Sequence, residues 1–462
     1  MTIKRIRTGL AASVLALATA FPAWAESLAD TMVAAYRHSS LLDQNRAVLR
    51  AADEDVASAM AQLRPVIQWS LNHDFTQVDG SESTSDSFAI AMSYTLYDWG
   101  RSQYGIDIAK ETVLATREGL VAVEQDVLLN AVQAYLDVRS AEQQVALQQN
   151  SVRLLSQERQ AAQDRFDVGE ITTTDVSLAD AQLAATRASL ASAQGQLEVA
   201  RESFKAATGR APGDLSQPPA LPKLPASVTA AQQTAQRKHP SILQAQRGAA
   251  AAELGVAAAA AERNPSLTGT ASVGRSRAPS QITGEKQTRD TAAVGLTMSQ
   301  TIYSGGRLPA AHRKAMANRD SARAQVLTSS RNVNQAVATS WANISVARAQ
   351  IGAIDEQINA AQLAYNGVRE EATLGARTTL DVLDAEQDLL QARADKITAE
   401  ANLQLAHYQL LSSMGLLTVQ DLKLGVPTYD PSAYYSAVRD APYTSTQGQS
   451  LDRVLRAIGK SN

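Results

Sequence analysis

The stretch SFAIAMSYTLYDWGR, residues 87–101, changes character within one short run. Phe88, Ile90, Met92, Tyr94 and Leu96 alternate with Ser87, Ala89, Ala91, Ser93 and Thr95. A period of two puts every large apolar side chain on one face of a strand and every small or hydroxylic one on the other. Beyond Arg101 the period becomes seven. Ile106, Val113, Leu120 and Val127 form one series, and Leu114, Val121, Leu128 and Tyr135 another. Seven-residue spacing is coiled-coil packing. It runs without proline to about residue 166, a rod of roughly 100 Å at 1.5 Å per residue. Upstream, VIQWSLNHDFT (residues 66–76) alternates as well, with Ile67, Trp69, Leu71 and Phe75 against Gln68, Ser70, Asn72, Asp74 and Thr76. Strands of about ten residues with one greasy face have the length a tilted strand needs to cross a bilayer. The acidic QVDGSESTSD (residues 77–86) between them reads as a loop.

The chain then repeats itself. YDWGR (97–101) matches YSGGR (303–307), and VGEITTTDVSLADAQL (168–183) matches LGARTTLDVLDAEQDL (374–389), both at an offset of 206. ATG ending at Gly209 meets SMG ending at Gly415 at the same offset. A weaker pair of alternating segments lies near Leu267–Val273 and Val294–Ile302, separated by the longer loop GRSRAPSQITGEKQTRD (274–290). The resulting division is a leader over 1–25, a first repeat over 26–210, a Pro-rich linker over 211–227, a second repeat over 228–416, and a polar C-terminal tail over 417–462, equatorial or disordered. Each repeat reads as a helix, two strands, a long rod, a glycine turn and a return helix of about 35 residues.

Lys4, Arg5 and Arg7, a short apolar run and AWA (23–25) make a secretory leader, with the mature chain beginning at Glu26. Removing it moves the formal charge from −3 to −6. A mildly acidic chain without Lys/Arg runs is a poor nucleic-acid binder. No cysteine is present, which rules out disulfides, thiolate metal sites and a lipidated N-terminal Cys. The histidines at 38, 73, 239, 312 and 407 have no metal-ligand spacing. No cofactor or metal is expected, and no enzyme. Paired carboxylates without an aromatic cluster do not make a glycosidase site, and SGGR lacks the rest of a phosphate loop.

Four membrane strands cannot close a barrel, and open edges are intolerable in lipid. Three copies would supply twelve strands and, if the helix before the strands stacks on the one returning from the tip, twelve helical columns around a bore. The expected class is therefore mainly α with membrane β: long coiled-coil helices plus four membrane strands per protomer, assembling as a trimeric 12-stranded β-barrel on a 12-helix α-barrel. The rival is a periplasmic coiled-coil scaffold or adaptor, without a pore, whose hairpins pack on themselves.

With its leader, its tandem repeat, YDWGR/YSGGR at strand-to-helix junctions and VGEITTTDV/LGARTTLDVLDA at the rod ends, the chain resembles the TolC family of outer-membrane efflux proteins. The resemblance covers nearly all of the mature chain. It implies a homotrimer in outer-membrane lipid with a large periplasmic portion. It also implies an exit duct for small molecules or unfolded proteins, working with a periplasmic adaptor (membrane fusion protein) and an inner-membrane pump of ABC or RND type.

The tips carry the most informative residues. Gly169 and Gly375 stand where a helix ends and φ > 0 is wanted. Thr172-x-x-Asp175 and Thr378-x-x-Asp381 have capping-box form. Capping accounts for Asp175 and Asp381 but not for Arg377 or for Asp384, one turn on along the same face. In a threefold ring Asp381 and Asp384 would supply six carboxylates, whose repulsion would raise their pKa values and whose charge would select ions. The resemblance implies a periplasmic gate of inward aspartates held by an arginine and by a Thr-Asp pair of the other half. By motif position these are Asp381, Asp384, Arg377, Thr174 and Asp175. One member of that family adds a tyrosine three residues before the glycine, where this chain has Ala372, so the resemblance implies one latch fewer here. Val168, Gly169, Leu374 and Gly375 are the expected tip turns and adaptor-docking positions. Tyr97, Gly100, Arg101, Tyr303, Gly306 and Arg307 are the expected strand-to-helix junctions, with an interfacial aromatic girdle or ordinary packing as the two readings of the tyrosines.

Overall fold

A computed structural model describes residues 25–78, 81–279 and 285–438. The leader lies, apart from Ala25, outside the described residues, as does the chain end from 439 onward. The first repeat runs α1 (Leu28–His38), α2 (Ser40–Ala61), β1 (Val66–Val78), β2 (Ser81–Tyr97), α3 (Arg101–Asp167) and α4 (Thr173–Thr208). The second runs α5 (Val228–Lys238), α6 (Pro240–Ala261), β3 (Ser266–Pro279), β4 (Lys286–Ser299), α7 (Arg307–Thr373) and α8 (Thr379–Ser413), and α9 (Pro431–Val438) follows.

The rods are as long as the heptads require: α3 and α7 have 67 residues each. Ile106, Val113, Val127, Leu128 and Tyr135 of the seven-step series are buried. Each rod packs antiparallel on its return helix, α3 on α4 and α7 on α8, and the two hairpins meet along α3 and α8.

The strands form one antiparallel sheet in the order β1-β2-β3-β4. Its register explains the alternation. Ile67, Met92, Ala271 and Val294 share one cross-strand row, and Trp69, Ile90, Val273 and Ala292 the next. Residues in one row share a face, so the large apolar side chains of the four strands gather on one side of the sheet. That side is bare in the single chain, with Trp69 70% and Val294 89% exposed. The opposite side carries rows such as Gln68, Ala91, Ser272 and Ala293. The strands are longer than the alternation suggests. The stretches read as loops, 77–86 and 274–290, are mostly strand, because Val78 pairs with Ser81 and Pro279 with Lys286. Backbone pairing continues past the apolar band wherever side chains are small or polar and do not oppose it.

The main core lies where the columns change over between strand side and tip side. Leu28, Leu42, Tyr135, Phe204, Leu410 and Met414 are fully buried there. The end of α4 meets the break between α1 and α2, so close that a methyl group on Gly209 would overlap the His38 ring. A methyl group on Gly415 would likewise overlap the Lys238 carbonyl at the α5–α6 break. The break at Ser39, inside what the pattern reads as one helix over 27–63, creates this junction: Ser39 caps α2 by accepting from Leu42 N. The linker is pinned to the same level. Arg139 donates to the carbonyls of Leu215 (3.2 Å) and Ser216 (2.9 Å). The segment after α8 is not simply polar. Leu417 and Val419 are buried in the main core, and Tyr429 and Tyr435 pack against Leu49, Val56 and Val113. Tyr434 Oη donates to Glu54 at 2.8 Å.

Candidate functional site: the helical tips

α3 ends in a left-handed glycine turn, with Gly169 at φ +83°. Glu170 N donates back to Arg165 O at 2.9 Å, and Ala376 N to Glu371 O at 2.9 Å after α7. These are the six-to-one bonds of a Schellman motif, which satisfy carbonyls a helix end would otherwise leave open. Gly375, at φ +75°, fills the same place in the second hairpin. Val168 and Leu374, just before the glycines, are 73% and 84% exposed. An apolar side chain held out at the far end of a rod has no packing role within the chain.

The return helices start from capping contacts. Thr172 N and Oγ1 both donate to Asp175 Oδ2, at 3.0 and 2.7 Å. Thr378 does the same to Asp381, at 2.9 and 2.8 Å, and accepts from Asp381 N at 3.3 Å. The Thr172 side-chain and backbone bonds hold the Asp175 carboxyl below the usual range, and the Thr378 backbone and side-chain bonds do so for Asp381. Within one chain the cap thus works against the like-charge repulsion expected to raise Asp381. Asp384 and Thr174 are exposed, and Asp175 and Asp381 half-buried.

Arg377 Nε donates to Glu371 Oε2 at 2.8 Å, a bond within its own turn. Glu371 was not legible as its partner, since one of several charges in VREEATLG gives no directional signal. The two tips approach each other through Gln182 Nε2, which donates to Gln387 Oε1 at 2.9 Å across α4 and α8. Ala372 is buried against the α7–α8 interface. The acidic group that sequence reasoning missed is Glu386, 6% exposed among Tyr365, Val382 and Leu389. Its signal was a carboxylate on the apolar stripe that passes through Val382 and Leu389.

At the opposite end of the rods Gly100 and Gly306 are the N-caps of α3 and α7. Asp98 accepts from Gly100 N (3.2 Å) and Ser102 N (2.8 Å), and Ser304 Oγ accepts from Leu308 N (3.2 Å). Tyr97 lies edge-on to Trp99, with ring centroids 4.6 Å apart, and Tyr303 is exposed. Arg307 reaches Glu262 at 3.9 Å, while Arg101 points into solvent.

Among the described residues no group of His, Asp or Glu could hold a metal ion, and no helix is long and apolar enough to cross a membrane.

Comparison with known proteins agrees with this architecture. The sequence profile described as outer membrane efflux protein matches residues 33–210 and 231–416, once per repeat. Outer membrane efflux protein BepC of Brucella suis is 33% identical over 419 residues, covering 90% of this chain and 91% of that protein. Outer membrane protein TolC of Escherichia coli is 27% identical over 426 residues, covering 86% and 84%. The solved structure of the outer membrane protein VceC from Vibrio cholerae shares the fold, with a TM-score of 0.72 at 20% identity over 84% of this chain and 96% of that one. With both repeats matched and the likeness running nearly end to end, the chain belongs to the outer membrane efflux protein family and is an outer-membrane protein with a large periplasmic helical portion.

Proposed function

We propose that the chain is one third of a trimeric exit duct, closed at rest by its helical tips. The observation that carries this is the unfinished sheet. β1 and β4 are both edges, and one face carries a bare apolar band that includes Ile67, Trp69, Met92, Val273 and Val294. In lipid each unpaired backbone group costs several kcal/mol, on the order of tens over two edges of a dozen residues. Identical copies remove both edges by pairing β4 of one with β1 of the next. Three copies make twelve strands, enough for a lumen lined by the Ser, Thr, Ala and Gly of the opposite face. The same operation rings the tips with Asp381, Asp384, Arg377, Thr174 and Asp175 as a periplasmic gate. Val168 and Leu374, displayed beyond the rod ends, are the positions for a periplasmic adaptor, through which an inner-membrane pump delivers cargo.

The relatives include the alkaline protease secretion protein AprF of Pseudomonas aeruginosa, 25% identical over 388 residues. Secretion of polypeptide and efflux of small molecules are both compatible with a lining of mostly small side chains, charged at Asp74 and Arg289.

The test is extraction and conductance. The protein is expected to leave membranes only with detergent, to run as a trimer, and to form channels in planar bilayers. A monomer soluble without detergent would return the chain to the scaffold reading. Asp381→Asn with Asp384→Asn should then lower cation preference, read as a reversal potential moving toward zero in a salt gradient. An unmoved reversal potential rejects the aspartate ring.

A further inference from the structure

Glu386 is a carboxylate in the wrong place for a coiled coil. It sits on α8 little more than a turn beyond Asp381, 6% exposed, and neither of its oxygens accepts a hydrogen bond among the described residues. Its charged neighbours come from the two other helices packed around it: Glu158 on α3 and Arg369 on α7. Arg369 Nη2 lies 3.2 Å from Glu158 Oε1, so one guanidinium serves two carboxyls and is already engaged by the other. The Tyr365 hydroxyl on α7 faces the same group and is itself pushed upward by burial and by Glu386. α4 approaches this part of α8 through the neutral Gln182. The nearby charges Arg159 and Asp180 pair with each other at 2.9 Å. Nothing in this arrangement satisfies an ionised Glu386, and burying a charge without a hydrogen-bonded partner is strongly unfavourable. Burial and then the Glu158 charge push its carboxyl up to about 7.

The site has a structural position to match. It joins the α7–α8 hairpin to α3 of the other repeat, just behind the tips. We propose that Glu386, set with Glu158 against Arg369, is a proton-dependent lock on the two tip hairpins. It is neutral while α8 packs on α3, and it releases its proton to water when the hairpin swings away. The proposal rests on the reading of the tips as a gate.

The sign follows from linkage. The packed state holds the proton more tightly than a solvated glutamate with the ordinary value of 4.5 does. Opening therefore becomes easier as pH rises from that value to about 7 and levels off above it. With Glu386 fully solvated in the open state, acidification from pH 7 to pH 6 favours the closed tips by about fivefold per protomer.

The chain has no cysteine, so a single one placed at the exposed Leu374 can carry a spin label in the assembled oligomer. Distances between labels, measured from pH 5 to pH 8, are expected to shorten on acidification. In Glu386→Gln the short distance should persist at every pH. A Glu386→Gln oligomer that keeps the parental pH response overturns the lock. Arg369→Gln is the second arm, should the first variant not assemble. Without its cation the carboxyl is harder to ionise, so the response should move to higher pH, and an unmoved response also overturns the proposal. The spin-label readout is independent of conductance. If the aspartate exchanges leave selectivity unchanged while tip spacing still titrates through Glu386, the aspartate ring fails, and the moving tips and the lock stand. If selectivity changes but tip spacing ignores pH, the lock alone fails.

Discussion

Replacing Gly375 or Gly415 by alanine puts the same side chain into the same backbone conformation with different surroundings. Both glycines follow the return or outgoing helix of the second repeat, at φ +75° and +76°. Left-handed backbone costs an L-residue about 1–2 kcal/mol relative to glycine. At Gly375 that is the whole penalty, because nothing lies within 4 Å of the added methyl position. At Gly415 the methyl would stand 2.7 Å from Lys238 O and 2.8 Å from His239 Cα. Both are main-chain atoms at the α5–α6 break, so relief requires moving a helix end, at a further ~1–3 kcal/mol. The expected losses are about 1–2 kcal/mol for Gly375→Ala and about 2–5 kcal/mol for Gly415→Ala. The assay is guanidinium unfolding of the purified oligomer followed by far-ultraviolet circular dichroism. Protein concentration must be matched, because an assembly's midpoint depends on it. Gly415→Ala should show the clearly lower midpoint. Equal midpoints, or a larger loss at Gly375, would refute the claim that the ATG/SMG glycines exist to admit the neighbouring helix break.

Arg377→Ser removes an ion pair whose side chains are 50% and 52% exposed, so its worth is small. The expected result is a modest rise in single-channel conductance or open time, and no rise removes Arg377 from the gate. Asp53, on α2, is 1% exposed, and burial pushes its carboxyl from 3.8 up to about 6. A folded-state value above the unfolded one means stability is lost as pH climbs from about 4 to 6 and stays lost beyond. Asp53→Asn should therefore stabilise the protein at pH 8 by about 3 kcal/mol and do little at pH 4, and the reverse pH pattern in thermal melts would contradict the burial argument.

Much of the fold is written in local periods. A switch from two to seven at Arg101 can only mean strand followed by rod, and the 206-residue offset says it happens twice. The tip turns were equally legible, since glycine, threonine and aspartate at fixed spacing leave few alternatives to a Schellman turn and a capping box. Strand length was not. Ser81–Asp86 carries no apolar alternation, and only the facing β1 makes it strand. The start of the tail depends on the same kind of contact: Leu417 and Val419 look like isolated apolar residues until the core that receives them is in place.

The sequence by itself determined the elements, their order, their duplication and which strand face is apolar, because these depend on neighbours a few residues apart. Tertiary structure alone decided that Arg377 answers Glu371, that Gly415 makes room for Lys238, and that Glu158, Arg369 and Glu386 converge behind the tips. Those pairings join residues on different turns, helices or repeats. Their energies arise from distance and burial, which the order of residues along the chain does not encode in any short window.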